Sequence, residues 1–155
     1  MATHLTSAPR IPSLVGVFNP LAQKLLGIGV PLGPNALITV RGRQSGLPRT
    51  TPVALVELRG RRWVVGTFGE TNWVHNLRAA GEATITVGKR RETVTATELS
   101  EQEGADFFAG VLGPYVRSLP LGRWMLGSVL GAHEILDDPK VAAARRPVFE
   151  LHPTA

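Results

Sequence analysis

The sequence predicts a mainly β domain of the α+β class, an antiparallel, barrel-like sheet with flanking helices. Three observations carry that expectation. Residues 83–87 and 92–99 alternate apolar residues with threonine, as half-buried antiparallel strands do. Five or six short strands are separated by glycine-containing turns. No strand–helix–strand spacing indicates a parallel sheet. The 155 residues read as one domain, 1–155, large enough to bury a core without covalent staples.

Taken in order, residues 1–35 read as an N-terminal helical segment. Leu14, Val17, Phe18, Leu21, Leu25 and Ile28 fall at helical spacing over 13–28, and Pro20 starts a turn or kinks it. Gly27 to Pro34 is a breaker-rich connection. Strands occupy 36–99. Ala36–Arg41 is the first, followed by a polar loop over Gly42–Pro52. Val53–Arg59 and Arg61–Phe68 form a hairpin about Gly60. Residues 73–80 form a short helix that Thr71 or Asn72 caps and Gly81 ends. The two threonine-rich strands then meet at Gly88-Lys89. Residues 100–131 read as helices. Ser100 with Glu103 makes a capping box, and Phe108, Val111, Leu112, Tyr115 and Leu119 form a stripe interrupted at Gly113-Pro114. Residues 120–131 suggest another short apolar helix, and 146–152 a closing strand.

Composition narrows the function. The chain has no cysteine and a formal charge of +5, mostly from arginine. Disulfides, thiolate metal ligands and a cysteine nucleophile are excluded, and a reducing cytoplasm fits. Arginine suits bidentate binding of phosphate or carboxylate. Nucleic acid is disfavoured, because the few aromatics are not interleaved with basic residues. No secretory signal pattern and no clean spanning helix are expected; peripheral contact with a membrane stays open. Gly27–Gly33 lacks dinucleotide-fingerprint spacing, Gly88-Lys89-Arg90 is not a P-loop, and His133-Glu134 has no second histidine at i+4. The scattered histidines predict no metal site.

Two segments stand out. Gly42–Pro52 holds Arg43, Arg49, Ser45, Thr50, Thr51, Gly42 and Gly46, with no acid. Forked guanidinium donors, hydroxyls and a glycine that lets backbone approach are what a phosphate needs. The same composition equally fits a solvated basic loop. Downstream, Trp73, Asn76 and Leu77 share one helical face. That face can pack on and hydrogen-bond a planar ring, with Thr67, Phe68 and Gly69 bringing backbone donors. The simpler alternative places Trp73 in the core and Asn76 on backbone. Tyr115, the single tyrosine, either packs or serves as substrate contact or proton donor. Trp63 reads as core, and Trp124 as an exposed interface or membrane contact.

Together these residues resemble a known family. Gly42-Arg43-Gln44-Ser45-Gly46 with Arg49-Thr50-Thr51-Pro52-Val53 is similar to the first signature of the deazaflavin-dependent nitroreductase family. Phe68-Gly69 and Asn72–Gly81 resemble its second block, and Arg146–Leu151 its last strand. The resemblance implies an antiparallel split β-barrel, FMN-binding-like in fold. It implies coenzyme F420, a 5-deazaflavin with a phospholactyl-oligoglutamate tail; FMN is the alternative cofactor. Arg43, Gln44, Ser45, Gly46, Arg49, Thr50, Thr51, Pro52 and Val53 would then hold phosphate and tail, with Thr67, Phe68, Gly69, Trp73 and Asn76 around the ring. Gln44 stands where the family usually has lysine or arginine. The implied activity is hydride transfer from F420H2 to a quinone, an enone or lactone, or a nitroaromatic. The apolar N-terminal helix and the 119–131 stretch would wall the acceptor pocket, or meet the inner face of the membrane when the acceptor is a lipid quinone. A homodimer is common on such barrels. The competing reading is a non-catalytic fatty-acid or lipid binder on the same fold.

Overall fold

In a computed structural model, the described residues are 34–124, 126–127 and 132–154. The helix expected over 13–28 and most of residues 125–131 lie outside them.

Six strands close into an antiparallel barrel. They are β1 (Ala36–Arg41), β2 (Pro48–Leu58), β3 (Arg61–Val65), β4 (Glu82–Val87), β5 (Arg90–Glu98) and β6 (Val148–Pro153). The order around the barrel is β1-β2-β3-β6-β5-β4. Closure leaves no sheet edge unpaired. The β2–β3 turn places Arg59 and Gly60 in left-handed backbone, with φ of 55° and 76°. Those signs match the twist of a tight hairpin.

Strand alternation sorts the side chains into two cores. Ala36, Ile38 and Val40 of β1 meet Val53, Val64, Ala83, Ile85, Val94, Phe149 and Leu151 inside the barrel. Helix α1 (Asn72–Ala80) closes one end with Val74 and Leu77. Arg62, on the same face of β3 as Val64, reaches Glu92 of β5 through paired bonds of 2.8 and 3.0 Å towards the other end. Ala54, Val56, Trp63, Val65 and Val148 face outwards. They are covered by a helical layer of α2 (Glu101–Phe107), a π-helical turn (Phe108–Leu112), α3 (Gly113–Ser118), α4 (Gly122–Trp124), α5 (Glu134–Asp137) and α6 (Pro139–Arg145). Trp63 is buried there against Phe107, with ring centroids 4.9 Å apart.

The structure changes several expectations. The polar loop is shorter than Gly42–Pro52, because β2 begins at Pro48 and pairs with β1 from Pro48 to Val53. β3 stops at Val65, so Gly66 and Thr67–Gly69 are turn rather than strand. Gly113-Pro114 does not break the helix. The wider π turn precedes it, and Pro114 falls in the first turn of α3, where a missing N–H costs nothing. The extra residue per turn also shifts the buried stripe. Phe108, Leu112 and Val116 are buried, whereas Tyr115 is 42% exposed. Helices α5 and α6 fill residues 134–145, to which the sequence reading assigns no element. Among the described residues no helix is long and apolar enough to cross a membrane.

Candidate functional site

The end of the barrel closed by α1 gathers most of the predicted site. The β1–β2 loop there, residues 42–47, is held by its own backbone. Gly42 N–H donates to Leu47 O at 2.8 Å, and Gly46 N–H to Gly42 O at 2.9 Å. The Ser45 hydroxyl accepts from Leu47 N–H at 3.1 Å. Gly46 has a φ of 73°, where any other residue would be strained. Gly42 is buried, and a Cβ there would lie 2.6 Å from the Ser45 oxygen. These constraints fold the loop tightly and leave Arg43 and Gln44 on its surface.

The loop is fastened to α1 through one residue. Arg43 donates its backbone N–H to Asn76 Oδ1 at 3.1 Å and its Nη1 to the same oxygen at 2.7 Å. A longer bond of 3.5 Å runs from Nη1 to the Asn72 carbonyl. Asn76 is only 6% exposed. The first turn of α1 adds donors, since initial helical N–H groups have no intrahelical acceptor. Thr71 occupies the N-cap position, yet its side chain makes no capping bond, contrary to the expected cap. Gly81 does end the helix, in left-handed conformation with its N–H on Leu77 O.

The segment before α1 is fastened separately. Arg78 bonds both Glu70 and Glu98, the latter at 2.7 Å through Nε and Nη2. Hydrogen bonding to Arg78 holds the Glu70 carboxyl below its ordinary pKa, and the two acids raise that of Arg78. This fixes the far side of the 66–71 turn. Within it Thr67 is buried, Gly69 has a φ of 88°, and Phe68 is 67% exposed. Trp73 is half-buried and packs on the barrel residue Phe149, with centroids 6.2 Å apart.

The predicted residues do not form one surface. Alternation along β2 puts Thr50 and Pro52 on the outer face, where Thr50 meets the Thr39 hydroxyl at 2.8 Å. Arg49, Thr51 and Val53 take the other face, and Val53 belongs to the barrel core. Asn76 accepts from the backbone and side chain of Arg43, and half-buried Trp73 packs on Phe149. Tyr115 lies on α3 in the helical layer. None of the hydrogen bonds among the described residues ties its hydroxyl to the loop or to α1.

Carboxylates neutralise some of the described arginines and leave others, those of the loop and Arg59, Arg90, Arg91 and Arg117, in no ion pair among the described residues. Arg61, Arg62, Arg78, Arg123, Arg145 and Arg146 are each within ion-pair distance of a carboxylate. Arg41, Arg43 and Arg49 appear in no ion pair among the described residues. Arg41, absent from the sequence-based site, donates to Gly46 O at 3.2 Å and so belongs to the loop. Its signal was available in the sequence, since no acid occurs from Ala36 to Val56. Three uncompensated guanidinium groups about a tight loop, beside the start of a helix, form a donor set suited to a phosphate and an anionic tail. A separate crevice between α2, α6 and the 66–71 turn is lined by Glu70, Glu98, Glu101 and Arg146.

Comparison with known proteins gives the family. The family model described as F420H(2)-dependent quinone reductase matches residues 22–117. Among solved structures, an F420-H2 dependent reductase, FDR-A, is 22% identical, with 76% of this chain and 92% of that chain covered and a TM-score of 0.46. An F420 reductase is 14% identical over 81% and 88%, at a TM-score of 0.43. HutZ, the heme storage protein from Vibrio cholerae, is 12% identical over 88% and 90%, at 0.48.

Proposed function

The chain belongs to the F420H2-dependent quinone reductase family, an F420H2-dependent oxidoreductase family, and we propose that its acceptor is a quinone or a similarly electron-poor small molecule. Activated enones, lactones and nitroaromatics share the relevant chemistry, an acceptor carbon or nitrogen low enough in energy to take a hydride. The observation that carries the site assignment is the uncompensated arginine cluster about residues 42–49.

In this reading Arg43, Arg49 and Arg41 hold the phosphate and tail, with Gln44, Ser45 and the loop backbone adding uncharged donors. Each charge-assisted bond contributes about 1.5–3 kcal/mol net. The turn Thr67–Gly69 and the exposed part of Trp73 bound the ring. Exposed Phe68 offers an apolar face to ring or acceptor. When bound, the deazaflavin supplies the hydride, and the protein's part is to align ring and acceptor and limit water between them. No protein nucleophile is required. Tyr115 or water donates the proton that completes reduction. The protein works in the cytoplasm. Exposed Leu121 and Trp124 give it a peripheral contact at the membrane when the acceptor is a lipid quinone, and a homodimer is the proposed assembly.

Titration of purified protein with F420, followed by deazaflavin fluorescence, tests the cofactor assignment. Micromolar or tighter binding, with stopped-flow oxidation of F420H2 on adding a soluble quinone such as menadione, is the expected result. Tight FMN binding without F420 binding, or a co-purified acyl chain in native mass spectrometry, would replace it with one of the alternative ligands.

A further inference from the structure

We infer that Asn76 is a positioning residue for the anion loop, one that orients the Arg43 guanidinium without neutralising its charge. The inference rests on the F420 reading and gives Asn76 a role other than contact with the ring.

Three observations lead to it. First, Asn76 is almost fully buried, and its amide oxygen accepts two bonds from the same residue, one from Arg43 N–H and one from Arg43 Nη1. The two bonds fix both the loop backbone and the side chain it presents. Second, the acceptors on Arg43 are neutral, the Asn76 amide and the Asn72 carbonyl. By contrast, Arg78, two residues along the same helix from Asn76, is held by the carboxylates of Glu98 and Glu70. Third, Asn76 sits in mid-helix on a nine-residue element that itself closes the barrel, so its position is set by the packing of Val74 and Leu77.

The choice of amide over carboxylate has a physical consequence. An aspartate at 76 would preserve the geometry and make a stronger bond to Arg43. It would also place a negative charge 2.7 Å from the guanidinium, as the Asn76 oxygen now stands, and oppose any anion bound there. A role confined to folding predicts that aspartate serves as well or better. A role that orients Arg43 and leaves its charge uncompensated predicts that it fails.

The test compares Asn76→Asp and Asn76→Leu with wild type. It measures affinity for F420, affinity for the same deazaflavin riboside lacking the phosphate tail, and the 15N NMR response of the Arg43 side chain to inorganic phosphate. We expect Asn76→Asp to melt at or above the wild-type temperature. It should bind F420 about tenfold or more weakly, with a shallower salt dependence, bind the tail-less deazaflavin as wild type does, and lose the phosphate response. Asn76→Leu should show the same pattern if it folds; the aspartate variant carries the test if it does not. Wild-type F420 affinity in Asn76→Asp would overturn the inference. Equal loss for both deazaflavins would overturn it too, placing Asn76 on the ring. A wild-type protein that shows the phosphate response, lost in Asn76→Asp, but binds no F420 would refute the cofactor reading and leave the positioning role standing. Absence of both wild-type responses would refute both.

Discussion

Substituting Arg49 by alanine separates anion binding from folding more cleanly than any other change at the loop. Arg49 is exposed on β2, opposite Val40 of β1. Its backbone stays in the ladder whatever its side chain, and its guanidinium has no ion pair or side-chain hydrogen bond among the described residues. Truncation therefore removes no ion pair or side-chain hydrogen bond among the described residues, and stability should change by less than about 0.5 kcal/mol. Against a bound phosphate the same truncation removes a charge-assisted bond of about 1.5–3 kcal/mol. At 1.36 kcal/mol per decade that is a loss of about 10- to 150-fold in F420 affinity. Fluorescence titration at low and moderate salt measures it, and the variant should lose less affinity than wild type as salt rises. Lys89→Ala is the control. Lys89 is equally exposed but sits in the β4–β5 turn, at the opposite end of the barrel. Unchanged affinity in Arg49→Ala, or an equal loss in Lys89→Ala, would refute the placement of the anion at residues 42–49.

Three further outcomes follow from the packing. Glu134→Gln leaves Arg146, only 9% exposed, without its charged partner. Breaking a buried pair from one side costs about 3–5 kcal/mol, so urea unfolding should show a loss near the lower figure, since an amide still offers an acceptor. Ser100→Ala removes one half of a reciprocal capping box whose bonds are 2.8 and 3.1 Å; a loss of about 1 kcal/mol is expected by the same assay. Acid should unfold the protein through Glu70, Glu92, Glu134 and Glu150, whose folded pKa values all lie below the ordinary carboxylate value because each accepts bonds from an arginine. Depressed folded values mean that the unfolded chain binds protons first. Their stabilisation is complete above the unfolded value of about 4.3 and is lost as pH falls below it towards the folded values. Melting temperature should accordingly fall steeply below about pH 4.5, and less steeply in Glu134→Gln.

Where sequence succeeded and failed has a common physical basis. β1 is legible to the residue because its neighbours are unambiguous: an apolar-alternating run between Asn35 and Gly42. The capping box at Ser100 is legible because it is local. β2 is longer than local signals imply, because Pro48 and Pro52 suggest loop, and only the tertiary ladder with Arg41 and Leu37 shows that both are accommodated. Helix α6 carried a readable signal that went unused. Asp138 caps it through a bond from Val141 N–H, and Pro139 occupies its first position. The π turn had no comparable signal, since it reflects how the covering layer meets the barrel. The face of Trp73, Asn76 and Leu77 was identifiable from spacing. What that face packs against was not, because periodicity gives the side of a helix and never the identity of its neighbour.

The same limit bears on Gln44. Counted along the sequence, glutamine at this position removes one of the family's usual charges from the tail site. Counted in space, the loop gains Arg41, whose guanidinium is anchored on Gly46 O and has no carboxylate near it. The charge available to an anion is then set less by how many basic residues the loop contains than by which of them the rest of the protein leaves uncompensated. Arg59, Arg90, Arg91 and Arg117 are in no ion pair among the described residues, whereas six arginines elsewhere are paired with carboxylates, and each pairing withdraws that charge from binding. The loop region achieves the opposite through neutral acceptors: a glycine carbonyl for Arg41, and an asparagine amide and a helix carbonyl for Arg43. Gln44 fits this pattern as one more uncharged group. On the F420 reading, electrostatic attraction at the loop comes from Arg41, Arg43 and Arg49, the first two oriented by backbone and amide oxygens that take no charge away.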